Sequence, residues 1–450
     1  MINSPLAKHF ATWGKNLELT DIPLDVRMMA RKAVIDTLGV MAAGTAHSLT
    51  QTLSAKFNIA CGICSVFGSH NGDAETAALI NGCAAHVWDF DDTSYTGIMH
   101  GSAVILPVVL ALAEETGASE DSFISAFVAG SEIAYCLADI CTHDHYFDGW
   151  WSTITFGLVG ATAAASYLLG LTEDQTINAI SLAASSASGG KVVFGSDAKP
   201  YLVGDTARRA INFARTAMAG VTGPVNAFED QRGFFALLNN KKSVMPEANT
   251  LGQRWRLVSP GLLFKTSPVC SAAHAAIDQM SQIMKESDAK FDDIISIKAE
   301  VPKLVDVSLV FPYPKTIQQA QFSLPYALAC TAINGRVLLS DIRAEEINST
   351  QKEKLMAKIT TIAADDLSTD EMRNRYPESA RLTVTLPGGH TFRGFCGEAY
   401  GMPNNPLSSA DLTKKLFSCL EFAGIKAPKQ FCLEANLLNL ASLINDAAIN

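Results

Sequence analysis

Charge is scarce in this 450-residue chain: 18% of the residues are Asp, Glu, Lys or Arg, while 48% are hydrophobic. That composition excludes an intrinsically disordered protein, and a chain of this length buries a core without disulfide staples. Cationic side chains are in the minority, 35 against 45 carboxylates for a formal net charge of −10. This removes the electrostatic footprint of a nucleic-acid binder, although locally clustered lysines still suit an anionic small molecule. Long hydrophobic runs are missing as well. The two longest nearly apolar stretches, Ala103–Ala113 and Phe156–Leu171, fall short of the ~20 residues that span a bilayer and read as buried helices. Residues Met1 to Phe10 have neither the charged start nor the apolar run of a secretion signal. A soluble, cytoplasmic protein with no membrane and no nucleic-acid partner is expected.

The ten cysteines include a single C-x-x-C, Cys61 to Cys64. With no second pair and no suitably spaced histidine, it reads as two small apolar residues rather than a zinc or redox site. Scattered thiols without a framework fit a reducing compartment. The sequence also lacks a Walker lysine loop, a G-x-G-x-x-G after a strand, G-x-S-x-G and H-E-x-x-H, so nucleotide, hydride and zinc-hydrolase readings lose their usual support.

What is present is helix after helix. Pro23 to Ala43 carries apolar residues at Val26, Met29, Ala33, Val34, Leu38 and Met41, a helical spacing that ends near Gly44. Glu75–Asp89, Asp121–Ile140, Phe156–Gly170 and Asp205–Ala219 continue the pattern, and Thr172 to Gln175 is a capping-box start. After Leu262 the character changes. Ile294–Val301 and Leu382–Leu386 alternate, and Pro387-Gly-Gly389 signals a hairpin returning through Thr391–Phe395. Lys358–Ala363 is a third strand candidate, with helices at Ala273–Met284 and Ser323–Ala332. At ~150 residues per domain, two or three domains are expected. The pattern predicts a mostly α protein: an all-helical domain over 1–262, a smaller α+β domain over 263–404, and C-terminal helices, about 405–450, returning to the first.

Polar density inside apolar surroundings marks the candidate site. An alanine-rich helix runs into His86-Val-Trp-Asp89-Phe-Asp91-Asp92-Thr93, then His100-Gly-Ser102, then Ala103-Val-Ile-Leu-Pro. Charges wedged between buried helices are costly unless paired. The bland alternative is a helix-end capping cluster. The aspartates do not follow a Ca²⁺-loop spacing, and His143 and His145 specify no metal geometry.

Asp89-Phe-Asp-Asp-Thr93 followed by His100-Gly-Ser102 resembles the D-F-D-D-T … H-P-S signature of the MmgE/PrpD family, which includes 2-methylcitrate dehydratases, cis-aconitate decarboxylases and iminodisuccinate epimerase. Asp36-Thr-Leu-Gly39, Lys199-Pro … Gly204, Thr222-Gly-Pro224, Phe264-Lys265 … His274, Phe322-Ser-Leu-Pro-Tyr326 and Asn405-Pro-Leu-Ser408 follow in family order. The resemblance implies a large helical domain with an α+β lid, a homodimer, no metal or organic cofactor, and a small di- or tricarboxylate bound between the domains. Asp89 and Thr93 match family active-site positions, and His100 matches the histidine of H-P-S. Lys199 matches a lysine near the substrate carboxylates, Lys265 and His274 a cationic pair, and Tyr326 a tyrosine at the pocket edge. Read on their own, Lys199 is a solvated loop lysine, His274 a structural histidine and Tyr326 a core residue.

Such residue types suit the removal of a proton next to a carboxylate, with cations stabilising the resulting charge and His or Tyr moving the proton. An aspartate beside His100 would orient its ring. The sequence departs from the family where Trp151 and Val203 replace frequent histidines, where Gly101 replaces proline and where Asp230 replaces glycine. The expectation is a cofactor-independent lyase of hydratase type, with His100 as base and Lys199, Lys265 and His274 holding carboxylates. The alternatives are an epimerase with Lys199 or Tyr146 opposite His100, a decarboxylase, or an inactive carboxylate-binding member with Trp151 filling the pocket.

Overall fold

The computed structural model describes residues 4–57, 62–427 and 432–449; Cys61 of the C-x-x-C lies outside them. The helices begin and end on local chemistry. Thr172 Oγ1 accepts from the Gln175 amide at 3.2 Å while Gln175 Oε1 accepts from the Thr172 amide at 2.9 Å, the reciprocal cap that starts Glu173–Ser186. Asp73 caps Ala74–His86 and Ser119 caps Glu120–Cys141. Gly117, at φ 66°, ends Gly101–Thr116 in the left-handed conformation that glycine adopts without strain.

Helix Glu120–Cys141 is long and apolar enough to cross a membrane, and 94% of its most apolar 18-residue window is covered by the rest of the protein. It is therefore the interior helix of the first lobe, longer than either apolar stretch visible in the sequence. Small residues let Ser152–Leu168 approach it closely: a Cβ on Gly160 would stand 2.3 Å from the Gly130 carbonyl oxygen.

One hydrophobic cluster joins residues from Leu6 to Phe264 with Leu412, Leu416, Leu420, Leu437, Leu440 and Ile444. The C-terminal helices Ser409–Phe422 and Leu437–Ile449 thus pack back on the first lobe, and Lys415 Nζ meets buried Asp36 at 2.7 Å. A second cluster forms around a four-stranded sheet of order Ile359–Ala363, Ser296–Val301, Ala380–Thr385, Thr391–Cys396. The first pair is parallel, with Ile297 opposite Ile359, and the others are antiparallel. Ile297, Ala299, Val301, Leu382 and Val384 point inward, and helices His274–Ser287 and Leu324–Asn334 contribute to the same core.

One helix differs from the sequence pattern in a way that matters. It runs Ala198–Met218 rather than from Asp205, because Pro200 is compatible with a first helical turn. Lys199 is consequently no solvated loop lysine but a 4% exposed residue in the first turn of a helix. Two of the three arginines of this helix are tied to other elements, while Arg208 is exposed and bonds Asp205 of the same helix. Arg215 bonds Glu75 and Glu115, and Arg209 donates to the Ser186 carbonyl.

Candidate active site

Helix Ala74–His86 stops just before the acidic run, and Asp89 takes a left-handed backbone (φ 49°), which Asp tolerates better than most residues. The chain then forms a two-residue ribbon, Thr93–Ser94, paired antiparallel with Leu262–Leu263. That ribbon brings Lys265 beneath the turn. His100 follows as the N-cap residue of Gly101–Thr116. Gly101 stands where the family motif has proline because Tyr135 crowds it: a Cβ there would lie 2.4 Å from the tyrosine hydroxyl.

Asp89 is bracketed by cations. Its Oδ1 accepts from Lys199 Nζ at 2.5 Å and its Oδ2 from Lys265 Nζ at 2.9 Å, while its backbone oxygen accepts from Lys265 at 2.8 Å. Burial alone would raise the Asp89 pKa, but the two ammonium groups hold it far below the usual carboxylate range. The Lys199 ammonium also lies 5.2 Å from the Phe322 ring centre and 5.6 Å from those of Trp151 and Phe194, an aromatic surround that favours a cation.

Asp91 organises two imidazoles. It lies 2.9 Å from His86 Nδ1 and 3.1 Å from His100 Nδ1. The Asp92 carbonyl is a second acceptor for His100 Nδ1 at 2.9 Å, and Thr93 Oγ1 approaches it at 3.3 Å. A nitrogen facing a carboxylate and a carbonyl must carry the proton, so His100 keeps its lone pair on Nε2. The same logic leaves His86 Nε2 as an acceptor, and Lys199 Nζ bonds it at 2.5 Å. Burial lowers His86 to about 4, so its ring is neutral at neutral pH. Burial works to raise Asp91, yet the imidazoles hold it well below the ordinary value. His86, Asp89 and His100 offer ligand-type atoms within 4.8 Å of one another, but the Lys199 ammonium already bonds two of the three.

Asp89, Thr93, His100, Tyr146, Trp151 and Lys199 line one wall of a cavity of about 30 Å³, and Cys270, Ser271, Phe322 and Glu378 come from the other lobe. Ligand-holding pockets are roughly 300–1,000 Å³, so this space is much smaller than such a pocket. Lys265 reaches Asp89 from behind and borders a larger groove of about 710 Å³, whose lining has no imidazole.

The structure thus brings together seven of the nine side chains singled out in the sequence: Asp89, Thr93, His100, Tyr146, Trp151, Lys199 and, through Asp89, Lys265. Tyr146 lies on the short helix Asp144–Phe147 with Lys191 Nζ 3.7 Å over its ring, and burial pushes its phenol up. Trp151 packs against His86 at 5.8 Å between ring centres. His274 and Tyr326 do not line this cavity; His274 lies close enough to feel the Lys265 and Asp89 charges, but as a neutral ring rather than the expected cation, and Tyr326 is a core residue rather than the expected pocket-edge tyrosine. His274 is buried in the second lobe, where burial lowers it to about 3 and keeps it uncharged, with Nδ1 3.3 Å from the Cys270 carbonyl. Tyr326 donates to the Asp341 carbonyl at 2.6 Å. His143 and His145 form no pair: one meets the Tyr95 carbonyl, the other Thr155 and the Leu238 carbonyl. Sequence reasoning missed the roles of His86 and Asp91, although both stand in the polar knot five residues apart. It missed Glu378 altogether, which has no local signal in Pro377-Glu378-Ser379.

A two-lobed helical protein with a buried carboxylate–imidazole–ammonium cluster between the lobes defines the class. The family follows from comparison: the MmgE/PrpD N-terminal domain matches residues 8–247 and the MmgE/PrpD C-terminal domain matches residues 267–436. The chain belongs to the MmgE/PrpD family. It is 25% identical to cis-aconitate decarboxylase of Homo sapiens over 437 residues, covering 92% of this chain and 88% of that protein. To the Mus musculus protein of that name it is 26% identical over 439 residues, covering 92% and 86%. To that of Aspergillus terreus it is 21% identical over 410 residues, covering 83% of each.

Proposed function

We propose that the protein is a cofactor-independent lyase of hydratase type that acts on a small dicarboxylate by removing the proton next to a carboxylate. The observation that carries this reading is His100: Asp91 and the Asp92 carbonyl fix the proton on Nδ1, so the Nε2 lone pair is available in the cavity that Lys199 also lines. Taking a proton α to a carboxylate builds charge on the carboxylate oxygens, and an ammonium held among aromatic rings stabilises it. Trp151, Phe194 and Phe322 exclude water from that charge.

The named relatives favour a second reading, decarboxylation of a tricarboxylate. Charge balance supports the first. Lys199 and Lys265 both bond Asp89 and His274 is neutral, so the charge of both lysines is already shared with one carboxylate, which suits a substrate with two carboxylates better than one with three. An epimerase would need a base on each face of the carbon. A cytoplasmic homodimer without metal or organic cofactor belongs to the same proposal, and light scattering on the purified protein reads the oligomer.

The test is proton NMR in D₂O with a panel of di- and tricarboxylates. A hydro-lyase forms or consumes an alkene, a decarboxylase releases CO₂, and an epimerase places deuterium at a stereocentre without an alkene. His100→Ala is expected to lower turnover by at least ~100-fold, the lower range for general acid–base catalysis. A near-normal rate would remove His100 from the mechanism.

A further inference from the structure

We infer that Glu378 is a second acid–base residue of this site, delivering its proton to the departing hydroxyl while His100 takes the carbon-bound proton. The inference rests on the hydratase-type reading above. Glu378 lies between helix Asp370–Arg375 and strand Ala380–Thr385 of the second lobe, is 3% exposed, and lines the cavity whose opposite lobe supplies His100 and Lys199. The two proton carriers therefore approach a bound molecule from different lobes, an arrangement that suits an elimination with base and acid on opposite faces.

The surroundings of Glu378 suit an acid. Tyr95 donates to Oε2 at 2.7 Å from the first lobe, and Ser271 donates to Oε1 at 2.9 Å from the second. The other titratable groups facing it are Lys265, Tyr146 and Cys270. Burial raises Tyr146 and pushes Cys270 up to about 12, so both are neutral. Burial likewise raises Glu378, against the opposing pull of Tyr95, Ser271 and the more distant Lys265 charge. Unlike Asp89, Glu378 bonds no ammonium group among the described residues. In the proposed step Glu378 gives up its proton, and the two hydroxyl donors stabilise the carboxylate it becomes.

The step balances. The C–H electron pair becomes the new C=C bond, and the C–O bond breaks toward oxygen. The Glu378 proton completes a water molecule, and His100 Nε2 holds the abstracted proton. Solvent then carries a proton from His100 back to Glu378.

Two variants test the assignment. Glu378→Gln keeps the shape and removes the proton, so kcat is expected to fall at least ~100-fold with KM little changed on whichever dicarboxylate the wild type dehydrates. Tyr95→Phe removes a donor that stabilises the carboxylate. The alkaline limb of its kcat–pH profile, where the acid is lost, is expected to move to higher pH, which a merely structural residue would not cause. A Glu378→Gln enzyme within a few-fold of wild type, or a Tyr95→Phe limb that stays in place, would overturn the role of Glu378 and leave the hydratase reading standing. A wild-type enzyme that neither forms nor consumes an alkene with any acid of the panel would overturn both.

Discussion

On the first-lobe wall of the cavity, the carboxylates meet nitrogen donors: Asp89 two ammonium groups, Asp91 the Nδ1 atoms of two imidazoles. On the second-lobe wall, Glu378 accepts from two hydroxyl donors, Tyr95 and Ser271. Both walls are buried, so burial alone does not decide which way a carboxyl's pKa moves; the partner does. An ammonium at 2.5 Å overrides desolvation at Asp89, whereas two neutral donors do not at Glu378.

The sharpest way to break the comparison is at Asp89. Asp89→Asn leaves two lysines buried against a neutral side chain, and the expected loss of stability is about 3–5 kcal/mol, the range for breaking a buried pair, read by urea unfolding. A loss below ~1 kcal/mol would mean that the bracket is not the anchor of this wall.

The two walls should also respond oppositely to pH. His86 is lowered to about 4 by burial, so the unfolded chain binds more protons between about pH 4 and 6.5. The stability of wild type relative to His86→Gln should rise with pH across that window, by roughly 3 kcal/mol. Glu378 is raised, so there the native state holds the extra proton. The stability of wild type relative to Glu378→Gln is full below the unfolded carboxyl pKa and should decline as pH rises through the folded one. Equal signs in the two unfolding series would erase the contrast.

The smallest effect is expected at Thr93. Its hydroxyl stands 3.3 Å from His100 Nδ1, while Asp91 and the Asp92 carbonyl already hold that nitrogen. Losing one such neutral contact is worth about 1 kcal/mol, so Thr93→Val should slow turnover by roughly fivefold, far less than His100→Ala. Steady-state kinetics on the two variants checks the ranking.

Much of the architecture was legible because its causes are local. Thr172 and Gln175 announce a helix start, Pro387-Gly-Gly389 announces a hairpin, and the change from a 3.6-residue to a 2-residue period near Leu262 announces a second lobe. The site was legible only in part. The polar knot from His86 to His100 stood out because acids and imidazoles interrupt an apolar run. Lys199 did not, because a lone lysine before a proline gives no sign that the helix has already begun.

Composition, periodicity and the order of short motifs determined a helical protein with a smaller α+β lobe and a polar knot at a helix end. Only tertiary structure decided which side chains meet. Asp89 and Lys199 are 110 residues apart in the chain, Asp89 and Lys265 are 176 apart, and Tyr95 and Glu378 are 283 apart. Backbone preference extends over a few residues, whereas the ionisation of a buried group depends on whatever the fold carries to within a hydrogen bond of it.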